Sequence, residues 1–171
     1  MFAQDESRLG LMTIIRRIIT SKGIKPIAAF QHKYKTLYLY GAVEPQTGDH
    51  FFFSFSHLDS ICFQVFLEQF SERFKESFNI VLLDRGSFHR AKDLEIPANV
   101  YFIFQPAANP ELNPIERVWQ YVKEQLALEN FDSLDALFHA ASTVLHDLTQ
   151  ETLQSLTGFE YFISAVKEIF I

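Results

Sequence analysis

The sequence predicts an α/β fold: a mixed β-sheet flanked by helices, with a helical C-terminal third. Three observations predict it. The front half is rich in β-branched and aromatic residues interrupted by turn signals. The short run Asn79-Ile80-Val81-Leu82-Leu83-Asp84 is fully apolar at its centre, as suits a strand covered on both faces. From Asn113 to the end, apolar residues recur at the three- and four-residue spacing of helices.

Taken in order, the first half reads as strands. Ile14-Ile15 and Ile18-Ile19 flank Arg16-Arg17, Lys22-Gly23 marks a turn, and the stretch 26–30 is extended. Thr36–Val43 and His50–Phe55 are strands joined across Glu44-Pro45-Gln46-Thr47-Gly48, an antiparallel hairpin. From Leu58 the period changes, and Ile61, Val65, Phe66, Phe70 and Phe74 mark an amphipathic helix. After the strand ending at Asp84, Gly86-Ser87 turns the chain, with Ser87 the N-cap of a short helix. Val100–Phe104 is the next strand, and residues 107–112 are a loop. Helices follow at 113–128, 133–146, 149–156 and 161–170. A meander of three strands, a helix and two further strands also matches the ribonuclease-H-like order, which by itself assigns no function.

At 171 residues the chain fits one domain, 1–171. A hydrophobic content of 48% excludes a disordered chain. No apolar run reaches the ~18–20 residues needed to span a bilayer, so no membrane partner is expected. A lone Cys62 cannot form an internal disulfide, so a reducing compartment is expected. The net charge of −6 is unevenly spread. Residues 1–40 carry seven basic and two acidic side chains; residues 120–171 carry two basic and eight acidic ones. The basic front half is therefore the candidate phosphate-facing surface, and Lys123 and Lys167, in the acidic third, are not expected to contribute.

Three acids are candidates for two-metal phosphoryl transfer, which groups carboxylates around two ions ~3.5–4 Å apart. Asp84 ends the buried apolar strand, where ligand sites of open sheets gather; the plainer reading is a turn aspartate. Glu116 has a strong structural reading, because Asn113 would be an N-cap, Pro114 would take N1, and Glu116 would complete a capping box at N3. Asp5 lies near residue 1, and its plainer reading is a fraying end. The histidines have no zinc-ligand spacing, and no nucleophile elbow or Gly-rich phosphate loop is present.

The run Asn109-Pro110-Glu111-Leu112-Asn113-Pro114-Ile115-Glu116-Arg117-Val118-Trp119 changes the weighing. It resembles the third-acid segment of the DDE transposases of the mariner-like and bacterial insertion-sequence superfamily. Asp5-Glu6-Ser7-Arg8 resembles that family's first-acid region, Lys22-Gly23 through Pro26 its Lys-Gly-x-x-Pro segment, Gly41-Ala42-Val43 with Thr47-Gly48 its central hairpin, and Leu83-Asp84 through Ser87-Phe88-His89 its second-acid region. The likeness runs from about Asp5 to Leu126. It departs at Arg85, where the family usually has Asn, at Pro106-Ala107-Ala108-Asn109, and in the 31 residues between Asp84 and Glu116, a few short of the usual spacing. A guanidinium at 85 either pairs with Asp84 or grips a phosphate.

The resemblance implies a ribonuclease-H-like catalytic domain. Asp5, Asp84 and Glu116 would be catalytic and would bind two Mg²⁺ or Mn²⁺ ions. Arg8, Arg16, Arg17, Lys22, Lys25, Arg85 and His89 would face DNA. The implied reaction is strand cleavage and strand transfer at insertion-sequence ends, on transposon-end and target DNA, by a homodimer in the bacterial cytoplasm, associated with the nucleoid when bound. The family's N-terminal helix-turn-helix domain is absent from the sequence as read, so a separately encoded helix-turn-helix subunit is a further expected partner. Two rival readings stay open: a catalytically inactive transposase-derived domain, and a ribonuclease-H-like nuclease or junction resolvase.

Overall fold

In a computed structural model, residues 1–91, 93–106 and 112–169 are described. Five strands form one sheet in the order β3-β2-β1-β4-β5. They are β1 (Phe2–Gly10), β2 (Thr36–Val43), β3 (His50–Phe55), β4 (Asn79–Leu83) and β5 (Val100–Phe104). The first three form an antiparallel meander, while β4 runs parallel to both β1 and β5. Helix α1 (Ser60–Arg73) crosses from β3 to β4, and α2 (Glu116–Gln125), α3 (Leu134–His146), α4 (Gln150–Thr157) and α5 (Glu160–Ile169) close the chain. No helix among the described residues is long and apolar enough to cross a membrane.

The front of the chain differs from expectation. The first strand is not built from the isoleucine-rich stretch but from the polar run around Asp5, which occupies the middle of β1. Residues 11–35, expected as strands, form an arm outside the sheet. Its base is tied by Leu11 N–H donating to Lys35 O (3.0 Å) and Thr13 N–H to Gln31 O (3.3 Å). Side chains reach the α2–α3 connection, with Gln31 Nε2 donating to Phe131 O (2.7 Å) and Asn130 Nδ2 to Ala29 O (3.1 Å). Toward its tip Ile19, Ile24 and Ile27 are exposed. β-branched residues fit a pleated surface only when a neighbouring strand and a core receive them, and here neither does.

The two faces of the sheet carry different cores, as the two-residue period of a strand requires. Ala3 and Leu9 of β1, with Leu37, Leu39 and Val43 of β2, pack against Ile115, Val118, Trp119 and Val122 and the later helices. Phe2 of β1, with Tyr40 and Ala42 of β2 and Val81 and Leu83 of β4, packs against Phe63, Phe66, Leu67 and Phe70 of α1. Asp5 therefore faces the α2 side and Glu6 the α1 side.

Two close approaches lock α2 onto β1. Gly41 pairs in register with Asp5, and a Cβ there would stand 2.6 Å from the Trp119 ring and 2.8 Å from Phe52. Only glycine leaves room for the indole to lie across the strand pair. Asn113 Nδ2 donates to the Gln4 carbonyl (2.8 Å), pinning the chain just before α2. Asn113 is thus not the N-cap expected from sequence: α2 has no side-chain cap, and its first backbone bonds run from Glu116 N–H to Asn113 O and Arg117 N–H to Pro114 O (both 3.2 Å). The expected helix after Ser87 is a single 3₁₀ turn, Phe88–Arg90, and Ser87 makes no capping bond. Residues 107–111, with the Asn109-Pro110-Glu111 part of the third motif, and residue 170 of the last expected helix lie outside the described residues.

Candidate active site

The three expected acids sit on three different elements. Asp5 is in the central strand β1, Asp84 is the residue after β4, and Glu116 opens α2. Trp119, one helical turn beyond Glu116, donates its indole N–H to Asp5 Oδ2 (3.1 Å). That bond orients the carboxylate without supplying a positive charge.

Asp5 titrates well above the usual carboxylate range. Burial is the main cause, followed by the negative charges of Glu6 and Glu116, with Asp84 adding to them; a backbone hydrogen bond at Glu6 acts in the opposite sense. Asp84 and Glu116 are therefore both within electrostatic reach of Asp5. None of the three forms an ion pair with Lys or Arg among the described residues. Carboxylates gathered without a Lys or Arg partner suit a bound divalent ion, and an all-oxygen donor set suits Mg²⁺ or Mn²⁺. Among the described residues, however, no three His, Cys, Asp or Glu side chains stand grouped as a metal site.

Asp84 is held from the other side. His89 Nδ1 lies 2.8 Å from Asp84 Oδ1, and His89 Nε2 lies 3.1 Å from Glu6 Oε1. Gly86 N–H also donates to Asp84 Oδ1 (2.8 Å). A Cβ at 86 would meet that oxygen at 3.0 Å and the His89 ring at 3.2 Å, so glycine allows the tight approach. Glu6 is further held by Gln4 Nε2 (2.6 Å). Burial opposes the imidazolium, but the hydrogen bond and charge of Glu6, with those of Asp84, outweigh it and raise the His89 pKa. The result is an acid–imidazole–acid chain that fixes one oxygen of Asp84 and leaves Oδ2 without a protein hydrogen bond among the described residues.

The expected DNA-facing residues divide. Arg8 on β1 and Arg16, Arg17, Lys22 and Lys25 on the arm are exposed. Arg85 does not pair with Asp84; its Nε donates to the Gln105 carbonyl (3.0 Å) at the end of β5. His89 is not available to a phosphate, because it is 2% exposed and both ring nitrogens are engaged. Glu6 was missed by sequence reasoning. The signal was available: in a strand, adjacent acids serve opposite faces, so Asp5 and Glu6 must have different partners.

A mixed sheet with carboxylates on its central strand, at the neighbouring strand's end and on an approaching helix is the arrangement of ribonuclease-H-like domains. Comparison with solved structures agrees. The Mos1 transposase paired-end complex with left transposon end superposes with a TM-score of 0.70 at 15% identity, over 92% of this chain and 51% of that one. The Mos1 mariner paired-end complexes with Mn and with Mg give TM-scores of 0.69 and 0.65, each at 14% identity and over 92% of this chain. Uncharacterized protein y4pE/y4sA of Sinorhizobium fredii (strain NBRC 101917 / NGR234) is 32% identical over 88 residues, 51% of this chain and 65% of that protein. The chain thus spans under two thirds of that relative and about half of the Mos1 chains. Residues 1–138 match the DDE superfamily endonuclease family, and the chain belongs to it.

Proposed function

We propose that this chain is the catalytic domain of an insertion-sequence transposase, cutting DNA at the element's ends and joining the freed 3′-hydroxyl to target DNA. The observation that carries the reading is Asp5: a desolvated carboxylate, held by Trp119 and pressed by the charges of Glu6, Glu116 and Asp84, with no Lys or Arg paired to it among the described residues. Asp5, Asp84 and Glu116 would hold Mg²⁺ or Mn²⁺, which in this chemistry supplies an activated attacking oxygen and stabilises the leaving one. The chain's own contribution is positioning. Trp119 sets the Asp5 carboxylate, the Glu6–His89 pair sets Asp84, and the Asn113–Gln4 bond fixes where α2 presents Glu116. Arg8 and the basic residues of the arm would draw the phosphate backbone toward this end of the sheet. The arm's exposed isoleucines offer an apolar surface to a second copy, consistent with a homodimer acting on DNA in the bacterial cytoplasm.

The test is Mn²⁺-dependent nicking of duplexes carrying the element's ends. Wild type is expected to nick, and Asp84→Asn and Glu116→Gln to lose at least about a hundredfold in rate, as loss of an electrostatic stabiliser implies. Equal nicking by the variants would remove the assignment. The rival reading, a catalytically silent derivative, draws on the absence of a grouped metal site among the described residues. It predicts no Mn²⁺-induced rise in melting temperature, whereas a native-state ligand raises it by mass action. A junction resolvase would instead prefer branched over linear duplexes in the same assay.

A further inference from the structure

On one side the sheet ends at β3, and that edge is open. A free edge is a template for another chain, which proteins usually blunt with Lys, Pro, a bulge or a covering element. β3, His50-Phe51-Phe52-Phe53-Ser54-Phe55, contains no Lys, Arg, Pro or Gly. It pairs with β2 residue for residue, without a bulge. The Asp49 carbonyl accepts from Glu44 N–H (2.7 Å), so in the alternation of an antiparallel ladder Phe51, Phe53 and Phe55 turn their backbone groups toward β2. His50, Phe52 and Ser54 turn theirs outward, where no backbone group among the described residues answers them.

A groove follows this edge from end to end. Three cavities of about 380, 340 and 200 Å³ adjoin along it, the first two sharing Phe52 and Leu145 and the last two Ser54 and Phe138. Arg73 of α1 and Leu145 of α3 line the same cavity although their helices cover opposite faces, so neither helix closes the edge. Phe51 and Phe55 pack toward α1, whereas Phe52 packs toward the α2–α3 side. On that side Phe138, 38% exposed, stands over the groove with Leu134 and Leu145. Six residues of strand span roughly 20 Å, so the groove matches an extended segment of about that length. A docked helix would cover the apolar wall but leave the outward N–H and C=O groups of β3 unanswered; a strand answers both.

The two ends of the groove differ in charge. At the His50 end stand Arg73 and His146 with one acid, Asp49, whose Oδ1 already accepts from Gln150 Nε2 (2.9 Å). His146 lies 3.7 Å from Asp147, while Arg73 has no ion pair among the described residues. At the Phe55 end stands Asp135, with no Lys or Arg lining that cavity. The β3 of a second copy answers neither charge, because residues 50–57 contain no Lys, Arg, Asp or Glu. We infer that this edge docks an extended segment of a protein partner, added antiparallel to β3 as a further strand. Antiparallel pairing is the more stable arrangement and sets the chemistry of the segment. It carries a base toward its N-terminus, beside Asp135, apolar side chains at alternate positions against Phe52 and Phe138, and an acid toward its C-terminus, beside Arg73. The site is two strands from β1 and shares no residue with the candidate active site, so it stands independently of the endonuclease reading.

The experiment titrates the full chain against a fluorescein-labelled heptapeptide of alternating valine and threonine, with lysine at its N-terminal end and glutamate at its C-terminal end. Anisotropy is the readout. Saturable binding is expected, and N-methylation of the edge-facing amides should weaken it at least about tenfold, because those N–H groups make the strand's hydrogen bonds. Exchanging the lysine and glutamate should cost about threefold, the scale of exposed ion pairs, and Arg73→Glu should remove that preference. Phe138→Glu should weaken binding about tenfold by spoiling the apolar wall, with an unchanged melting temperature showing that the variant is folded. Absence of saturable binding at millimolar peptide, equal binding of the N-methylated peptide, or indifference to Phe138→Glu would overturn the inference. So would sedimentation showing a dimer that Ser54→Lys dissociates, since the edge would then belong to a second copy.

Discussion

Asp5 works against the stability of the metal-free fold. In the unfolded chain it titrates near 3.8, and in the native one well above, chiefly because it is buried. Between those values the native state holds a proton that the unfolded state has released. The stabilisation is therefore complete at low pH and is lost as pH rises through the raised value. Asp5→Asn keeps an acceptor for the Trp119 indole and removes the charge. Its melting temperature in EDTA at neutral pH is expected several degrees above wild type, with a flatter fall from mildly acid pH upward, while the gain on adding Mn²⁺ disappears. A lower melting temperature in EDTA would show that the carboxylate is not under electrostatic stress. His89 makes the companion case. His89→Asn releases Asp84 from Glu6 and is expected to cost about tenfold in Mn²⁺ affinity, read by the electron paramagnetic resonance of free Mn²⁺, as removal of a ligand's hydrogen-bond partner does. Unchanged affinity would reduce His89 to a packing residue. At this scale the three proposed acids were named from the motifs around them, whereas Glu6 was not, and His89 was named but given to a phosphate instead of to Glu6 and Asp84. Their pairing joins residues 83 positions apart and exists only once β1 lies beside β4.

Among the elements, those read correctly share a strong period. α1 repeats apolar residues at three and four, and β4 and β5 are apolar runs bounded by turns, so burial and local preference agree. The failures came where they disagree. β1 contains Gln4, Asp5, Glu6, Ser7 and Arg8, yet it is the central strand, because Asp5 and Glu6 find distant partners in Trp119 and His89 and the sheet supplies its backbone bonds on both edges. The arm has strand-like composition and no strand to receive it. Its base, not its tip, carries the bonds to the body, so replacing residues 17–28 by a short Gly/Ser link is expected to shift the melting temperature by only a few degrees, loop closure costing little. The same change should abolish any concentration-dependent dimer seen by light scattering. A large loss of stability would show that the exposed isoleucines are packed within the monomer.

Over the whole molecule, charge proved a coarser guide than composition suggested. The acidic C-terminal third is real, but α2 lies across its boundary, and its Arg117 and Lys123 line one cavity with Arg16 of the basic front half as well as with Glu116 and Glu124. Segment totals average over helix faces and so hid this. The fold class, by contrast, was readable, because element order alone restricts how a meander, a crossover helix and two parallel strands assemble.

The placement of β1 at the centre of the sheet bears on how the protein is made. Residues 2–10 must wait for residues 36–43 on one edge and 79–83 on the other, and the indole that orients Asp5 comes from residue 119. Contacts so distant along the chain form slowly, and on the ribosome they form late. Asp5 thus leaves the ribosome ahead of every element that positions it, and nothing sets its direction until α2 has docked. A chain ended before α2 would carry Asp5 and Asp84 but lack both Glu116 and the indole that orients Asp5, so the three acids are assembled only when synthesis has passed residue 119.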